Sequence, residues 1–234
     1  MNVPRAVVVD IEGTVSPLSA VRDHLLPYAR PRLRPWLLGG VPGTAAVVAA
    51  IRESLGEPRA PLSRVVDTVL DWHDRDRKDP PLKVLHGLIW HHGFAEGHLR
   101  AEVYPDVPPA LRAWAAAGVG VWVYSSGSVL AQRQWFAHTD AGDLLDLFAG
   151  HFDPSAVGPK TDPGSYRRIG ALIDADDVLF LSDSRPELDA ARAAGWRTTG
   201  VSRPRDGRPD VGAHDRVETF AAVAPLPGRE VARA

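Results

Sequence analysis

Two aspartates in this chain each come directly after an apolar run. Asp10 ends RAVVVD and Asp183 ends DVLFLSD, and each run is typical of a buried strand. Carboxylates at neighbouring strand ends would repel each other unless a cation lies between them. Neither cysteine nor histidine stands beside them, and all-oxygen ligands of this kind suit Mg²⁺. We therefore predict a magnesium site that uses Asp10 and Asp183.

A phosphate group beside such a cation would need further positive charge and hydrogen-bond donors. Lys160 can supply the charge, and Ser125 and Ser126 can supply hydroxyl and amide groups. With the phosphate oxygens held in this way, Asp10 could act as a nucleophile and form an aspartyl-phosphate. Glu12, two residues beyond Asp10, could protonate the leaving oxygen and later activate water. The chemistry that these residues favour is hydrolysis of a phosphate ester.

Each of these residues also has a simpler structural explanation. A carboxylate after a strand often caps a helix or forms a turn, and a stretch such as SSGS is often a helix cap. Lys160 lies in GPKTDPG, where a solvated loop lysine is an alternative interpretation. The residues favour a shared site because they occur together, in this order, around the ends of predicted strands.

Strands and helices alternate along the chain from residue 104 onward. This alternation predicts βαβ units and an α/β fold, with a doubly wound, mostly parallel sheet and helices on both faces. Ligands in such folds bind beyond the carboxyl ends of the strands. The predicted topology therefore brings Asp10, Ser125 and Asp183 to one crevice.

The segment between the first strand and residue 101 differs from the rest of the chain, because its apolar residues recur at helical spacing. Prolines near its start should break the first helix into pieces. We expect residues 1–17 and 102–234 to form an α/β catalytic core, and residues 18–101 to form an inserted helical cap. In the core, Asp106 is a candidate N-cap for the helix that follows it.

Composition limits the classes of partner. The 234 residues carry a formal net charge of −2 and no cysteine, with a sequence pI near 6.5. Disulfides, thiolate metal sites and a cysteine nucleophile are therefore excluded. A binding partner that is a nucleic acid or an anionic membrane would favour a basic face, which this balance does not indicate. No apolar run reaches the length of a membrane span or a signal-peptide core, so we expect a cytoplasmic protein.

Several motifs together resemble one family. DIEGT at 10–14, LLPYAR at 25–30, LKVLHGLIW at 82–90, YPDV at 104–107, YSSGSV at 124–129, GHFD at 150–153 and FLSD at 180–183 are similar to motifs of the enolase-phosphatases, also called acireductone synthases. This family lies within the haloacid dehalogenase superfamily, most of whose phosphatases have Asp where this chain has Glu12. The resemblance extends from about residue 5 to residue 203.

The resemblance implies a haloacid dehalogenase-like core with a helical cap, and an activity in methionine salvage. Family members enolise 2,3-diketo-5-methylthiopentyl 1-phosphate and then remove its phosphate, which yields the acireductone 1,2-dihydroxy-3-keto-5-methylthiopentene. They use one Mg²⁺ per subunit and are commonly monomeric. Carried over by motif, Asp10 is the nucleophile and a metal ligand, Glu12 binds the metal through its carbonyl oxygen and serves as acid and base, and Asp183 completes the metal site. Ser125, Ser126 and Lys160 bind the substrate phosphate.

One position in the predicted cap departs from the family pattern, because His86 stands where family members usually have Gln. A histidine can still donate a hydrogen bond to a substrate carbonyl, so His86 remains a candidate substrate ligand. Two other functions remain open. One is a phosphatase of the same superfamily that acts on another small phosphate ester without an enolase step, and the other is a catalytically inactive binding protein on this fold.

Overall fold

A computed structural model of the protein describes residues 4–77 and 79–223. The chain divides into two compact units. Residues up to Leu18 and from Ala101 onward form the first, which we call the α/β unit, and Ser19–Arg100 form the second, the helical unit. Among the described helices, none is both long and apolar enough to cross a lipid bilayer.

The α/β unit is built on a six-stranded sheet in the order β3-β2-β1-β4-β5-β6, in which every neighbouring pair is parallel. Parallel strands need crossover connections, and helices supply most of them here. This architecture confirms the predicted α/β class. The strands are β1 (Ala6–Val9), β2 (Gly120–Tyr124), β3 (Gly150–Phe152), β4 (Val178–Ser182), β5 (Arg197–Val201) and β6 (Asp215–Val217).

Helices account for most of the remaining regular structure. Short 3₁₀ segments at Leu145–Leu147, Pro204–Asp206 and Phe220–Ala222 lie between or after them in the α/β unit. The described α-helices are α1 (Leu26–Ala29), α2 (Leu33–Leu38), α3 (Thr44–Ser54), α4 (Leu62–Asp74), α5 (Pro80–Ala95), α6 (Val107–Ala116), α7 (Val129–Ala137), α8 (Pro154–Val157), α9 (Pro163–Ile173) and α10 (Arg185–Ala193).

The two central strands are buried along their whole length. Every residue of β1 and of β4 is buried, which agrees with the apolar runs that predicted them. Val9 in β1 pairs with Val123 in β2 on one side and with Leu181 in β4 on the other. This register sets the ends of the three strands side by side, so the residues that follow them share one edge of the sheet.

The helical unit contains α1–α5 and has an apolar core of its own. The segment before α3 is broken as the prolines predict, into a π-helical turn at Val21–Leu25, α1, a 3₁₀ turn at Arg30–Arg32, and α2. Buried side chains from all five of these helices pack together and stabilise the unit by apolar burial. Core members include Leu33, Ile51, Val65, Val66, Val69, Leu82, Leu85 and Ile89.

Two expectations about local structure need correction. The strands β3 and β6 did not emerge from the alternation pattern, because each has only three residues and too few positions to show a period. Asp106 precedes α6 as expected, but its side chain makes no capping hydrogen bond to that helix. Its carboxylate instead accepts hydrogen bonds from Arg203 and from the Phe220 amide.

Candidate active site

Asp10 is fixed at the carboxyl end of β1. Its backbone N–H donates to the Leu181 carbonyl at 3.0 Å, so the residue continues the ladder with β4. Its side chain is almost fully buried, and Lys160 Nζ donates to Asp10 Oδ1 at 2.6 Å. A buried carboxylate at this position needs a cationic partner, and Lys160 supplies it.

The segment after Asp10 folds into a tight loop. The amides of Val15 and Ser16 donate to the Ile11 carbonyl, each at 2.9 Å, and the Gly13 amide donates to the Ser16 carbonyl at 2.8 Å. Gly13 has φ of +71°, in the left-handed region, and a Cβ at this residue would overlap the carboxylate of Asp183. Glycine is therefore required here by both the backbone conformation and the close approach of Asp183. Glu12 lies within the same loop with an exposed side chain.

Asp183 follows β4 and lies beside the loop of residues 10–16, which we call the Asp10 loop. Its backbone N–H donates to the hydroxyl of Thr14 at 3.0 Å. Burial and then the negative charges of Asp10 and Glu187 raise the pKa of the Asp183 carboxyl to about 7, against the opposing effect of Lys160. The carboxylates of Asp10 and Asp183 are thus brought together, as their positions after neighbouring strands predict.

Lys160 lies in the loop between α8 and α9, and its surroundings fix the loop closely. The hydroxyl of Tyr166 donates to the Lys160 carbonyl at 2.7 Å, and that of Tyr124 donates to the Gly158 carbonyl at 2.7 Å. The Lys160 side chain is only 6% exposed. The alternative of a solvated loop lysine is therefore wrong. Tyrosine hydroxyls from β2 and α9 hold the loop so that the ammonium group points into the protein beside Asp10.

Glu187 is a member of this cluster that sequence reasoning missed. Lys160 Nζ lies 2.7 Å from Glu187 Oε2, and the hydroxyl of Ser182 donates to the same oxygen at 3.0 Å. Burial raises the pKa of Glu187, as does the charge of Asp10. The signal was its place in the first turn of α10, four residues after Asp183, where a side chain lies near the end of the preceding strand.

The cluster contains more negative than positive charge. Asp10, Asp183 and Glu187 converge on a single cation, Lys160. Burial opposes the charge of Lys160, but the two carboxylates that contact it outweigh that effect and raise its pKa to about 12. One ammonium group thus faces three carboxylates, and the charges of Asp10 and Glu187 add to the effect of burial in raising the pKa of Asp183. A bound cation would relieve this repulsion.

The donor set fits a hard, oxygen-liganded cation. Within residues 4–77 and 79–223, no group of three or more His, Cys, Asp or Glu side chains is arranged to hold a metal. A metal between Asp10 and Asp183 therefore has to take its remaining ligands from backbone oxygens, water or substrate. The carbonyl of Glu12, in the loop between them, is the backbone oxygen that the family resemblance predicts. Mg²⁺ commonly binds in this way, through one or two carboxylates and several waters.

Ser125 and Ser126 lie directly after β2, at the same edge of the sheet as Asp10. Ser125 is buried, and its hydroxyl accepts a hydrogen bond from the Gly127 amide at 3.4 Å, whereas Ser126 is exposed. The buried side chain of Gln132 in α7 donates to the carbonyls of Gly127 and Phe152, each at 2.8 Å. Gln132 therefore ties the loop that carries Ser125 and Ser126, which we call the serine loop, to β3 and fixes its shape.

His86 lies in the helical unit, on α5. Its Nε2 is 2.9 Å from Nδ1 of His73, and its ring stacks on Trp90 with the ring centroids 5.1 Å apart. The side chain is buried. His86 is therefore held by two aromatic neighbours in its own unit.

Known proteins similar to this chain were found by sequence and by structure. The sequence pattern of haloacid dehalogenase-like hydrolases matches residues 4–195. Proteins named Enolase-phosphatase E1 are similar over most of their length: that of Frankia alni is 52% identical and covers 92% of this chain and 93% of its own, and that of Pseudomonas aeruginosa is 46% identical with 88% and 95% covered.

Solved structures agree with these relatives. The UTR4 protein of Saccharomyces cerevisiae superposes with a TM-score of 0.80 at 30% identity, covering 94% of this chain and all of its own. CbbY of Rhodobacter sphaeroides, at 16% identity and a TM-score of 0.62, shares the fold. The chain therefore belongs to the haloacid dehalogenase-like hydrolases and, among them, to the enolase-phosphatases.

Proposed function

We propose that this protein is a Mg²⁺-dependent enolase-phosphatase of methionine salvage. Its substrate would be 2,3-diketo-5-methylthiopentyl 1-phosphate, and its products the acireductone 1,2-dihydroxy-3-keto-5-methylthiopentene and phosphate. The observation that carries the proposal is the cluster in which Asp10 and Asp183, at adjacent strand ends, meet the buried Lys160, with Lys160 Nζ 2.6 Å from Asp10 Oδ1. The relatives named Enolase-phosphatase E1 support it.

The metal site of this proposal consists of the carboxylates of Asp10 and Asp183 and the carbonyl of Glu12. One Mg²⁺ bound there would neutralise phosphate charge and stabilise an enolate oxygen. The gathering of Asp10, Asp183 and Glu187 around Lys160 supports this placement, since burial and the charges of Asp10 and Glu187 together raise the pKa of Asp183 to about 7. Lys160 is the protein cation that contacts Asp10, and it stays beside the Asp10 side chain throughout the proposed reaction.

Phosphate transfer starts from Asp10. A carboxylate oxygen of Asp10 attacks phosphorus, the bond between phosphorus and the substrate oxygen breaks, and Lys160 neutralises charge on the phosphoryl oxygens. Ser125 and Ser126 bind the same phosphoryl group through hydroxyl and amide donors. Water then attacks the aspartyl-phosphate and restores the Asp10 carboxylate.

Glu12 is the proposed acid and base. It protonates the leaving oxygen and later takes a proton from the attacking water. For the enolase step we propose that Glu12 also removes the proton beside the carbonyl group. We expect Glu12→Gln to slow both enolisation and phosphate release by about 100-fold or more. A variant that kept the enolisation rate and lost only phosphate release would assign the first proton transfer to another residue.

The helical unit is proposed to act as the substrate-selecting cap, as an insertion directly after the nucleophile strand suggests. His86 is its proposed substrate ligand, donating a hydrogen bond to a substrate carbonyl. Because its Nε2 atom lies 2.9 Å from Nδ1 of His73, a ligand role through Nε2 requires that hydrogen bond to be exchanged for one to substrate. We propose that the protein acts as a monomer.

The test is an anaerobic ultraviolet assay with the diketone phosphate, followed in parallel by phosphate release. We expect an enol absorbance to grow and phosphate to appear only when Mg²⁺ is present, with EDTA abolishing both. Asp10→Asn should abolish phosphate release, because an amide cannot form the aspartyl-phosphate.

The matched assay with p-nitrophenyl phosphate separates the alternatives. Hydrolysis of this ester without turnover of the diketone would indicate a phosphatase of the same superfamily with another substrate. A folded protein that turned over neither compound with Mg²⁺ present would indicate a binding protein, and the proposed function would be wrong.

A further inference from the structure

We propose that Arg203 is a positioning residue for the reaction, which holds the loop after Asp10 in its active shape by binding the Thr14 carbonyl. The inference goes beyond the proposed function and rests on it, since it assigns a role in the same site to a residue outside the motifs that define that site. The inference rests on the buried guanidinium group of Arg203, which donates two hydrogen bonds to the loop that follows the nucleophile Asp10.

Arg203 lies just beyond the carboxyl end of β5 and is only 1% exposed. Its Nε and Nη2 atoms both donate to the Thr14 carbonyl, at 2.9 and 2.7 Å. Its Nη1 atom donates to both carboxylate oxygens of Asp106, at 2.9 and 2.8 Å, and to the Glu218 carbonyl at 3.1 Å. The planar guanidinium group thus joins three separate segments of the α/β unit.

The aromatic rings around Arg203 leave it little freedom. Its Cζ atom lies 4.2 Å from the ring centroid of Tyr104 and 5.1 Å from that of Phe220. The Phe220 amide in turn donates to Asp106 at 2.6 Å. Arg203 is therefore held by the two aromatic rings and by the Asp106 carboxylate, independently of its hydrogen bonds to the Thr14 carbonyl.

Thr14 connects Arg203 to the reacting groups. Its carbonyl accepts both hydrogen bonds from Arg203, and its hydroxyl accepts the hydrogen bond from the Asp183 amide at 3.0 Å. Thr14 also follows Gly13, where the loop approaches the Asp183 carboxylate. A movement of the Thr14 peptide would therefore change the spacing between the Asp10 loop and Asp183, although Arg203 touches neither carboxylate.

A purely structural role would not require these particular hydrogen bonds. Burying a charged pair is costly, and apolar side chains of similar volume often stabilise a fold equally well. What apolar side chains cannot supply is two parallel N–H donors aimed at one backbone oxygen. The geometry matches a requirement for precise placement of the loop.

The deciding variant is Arg203→Lys. Lysine retains the charge opposite Asp106 but cannot place two parallel donors on the Thr14 carbonyl. We expect kcat for phosphate release to fall about 10- to 100-fold, since small displacements of reacting groups have effects of this size, while KM changes less than about threefold. The double variant Arg203→Met with Asp106→Leu removes both charges and should show the same loss of kcat.

Arg205→Lys is the matched control. Arg205 lies two residues further on, is exposed, and pairs with Glu102 at the surface, so the same substitution there should leave kcat unchanged. All variants are compared with the wild-type protein at a temperature where circular dichroism shows each of them to be fully folded.

Hydrogen exchange of residues 10–16 supplies a readout that does not depend on activity. We expect faster exchange in this loop in Arg203→Lys, with β1 and β4 unchanged. Wild-type kcat in a folded Arg203→Lys or double variant, a loss confined to KM, or losses of kcat that only follow the melting temperature would overturn the proposal. Inactivity of the wild-type protein would instead reject the proposed function, and the exchange of residues 10–16 would still test the positioning role.

Discussion

Lys160 and Glu187 illustrate what single residues reveal before a fold is known. The sequence predicts Lys160 as a phosphate ligand, but a solvated loop lysine is an alternative interpretation of the same residue. The folded chain excludes that alternative, because the tyrosines of β2 and α9 hold the Lys160 loop in place. Glu187 lay in an ordinary helical sequence and had no motif of its own. The types of these side chains predict the chemistry. Which of them are buried, and how their charges balance, follows only from the contacts of the folded chain.

Gly13 is the residue whose substitution tests the site most directly. We expect Gly13→Ala to lower kcat/KM by about 100-fold or more, because its Cβ would displace the Asp183 carboxylate. Because φ is +71°, in the left-handed region, the alanine should also be strained and lower the free energy of unfolding by about 1–2 kcal/mol. Steady-state kinetics and urea denaturation measure the two effects.

Gly118→Ala is the control for this substitution. Gly118 has a similar φ of +75°, but open space surrounds the position where a Cβ would lie. It should therefore show the strain and keep its activity. If Gly118→Ala and Gly13→Ala lost activity equally, the approach of Asp183 would not be the cause.

At the scale of elements, long apolar runs were predicted well and short segments were not. The strands β1 and β4 are buried on both faces, so their sequences are continuous apolar runs rich in β-branched or bulky residues, which predict a buried strand. The three residues of β3 owe their strand conformation to pairing with β2 and to the contacts of α7, which no local pattern records. Asp106 was misjudged for the same reason, since its partner Arg203 is 97 residues away.

Gln132 lets the link between α7 and the serine loop be tested. Gln132→Met should lower the free energy of unfolding by about 1–3 kcal/mol, because two hydrogen bonds, to the carbonyls of Gly127 and Phe152, are lost. We also expect KM for the phosphate ester to rise several-fold as Ser125 and Ser126 lose their fixed positions. Thermal denaturation and steady-state kinetics give both values.

Gln134→Met on the same helix is the matched control. Gln134 is also buried, but within the described residues its side-chain nitrogen has no hydrogen-bond partner. Substitution there should therefore change both quantities little. Equal effects at Gln132 and Gln134 would mean that volume in α7, and not the hydrogen bonds to the loop, sets the position of the serines.

At the scale of the whole molecule, each of the two units has an apolar cluster of its own among the described residues. One lies between the sheet and its helices and the other within Ser19–Arg100. The change from strand–helix alternation to uninterrupted helical spacing predicted that residues 18–101 differ from the rest. Whether this unit selects the substrate depends on its own side chains, which composition and spacing do not specify.

Leu85→Ala tests whether the two cores are stabilised independently. Leu85 is fully buried in the helical unit, so its truncation should lower the free energy of unfolding of that unit by about 2–5 kcal/mol. We expect hydrogen exchange to become faster in α2–α5 and to stay unchanged in β1 and β4. Leu38→Ala, at a position 54% exposed, should change neither. Equally faster exchange in β1 would contradict independence and indicate a single cooperative unit.

The ion pair between Lys160 and Asp10 joins residues 150 positions apart, and this separation has a consequence for synthesis on the ribosome. The central strand β1 leaves the ribosome early, yet its neighbour β4 and the partners of Asp10 are made only after the helical unit and most of the crossovers. Contacts of such long range form late and slowly, whereas the local contacts of the helices form early. A nascent chain that ends before Asp183 therefore holds its nucleophile without the second carboxylate of the proposed metal site, so we expect hydrolytic activity only after Asp183 has been synthesised and β4 has paired with β1.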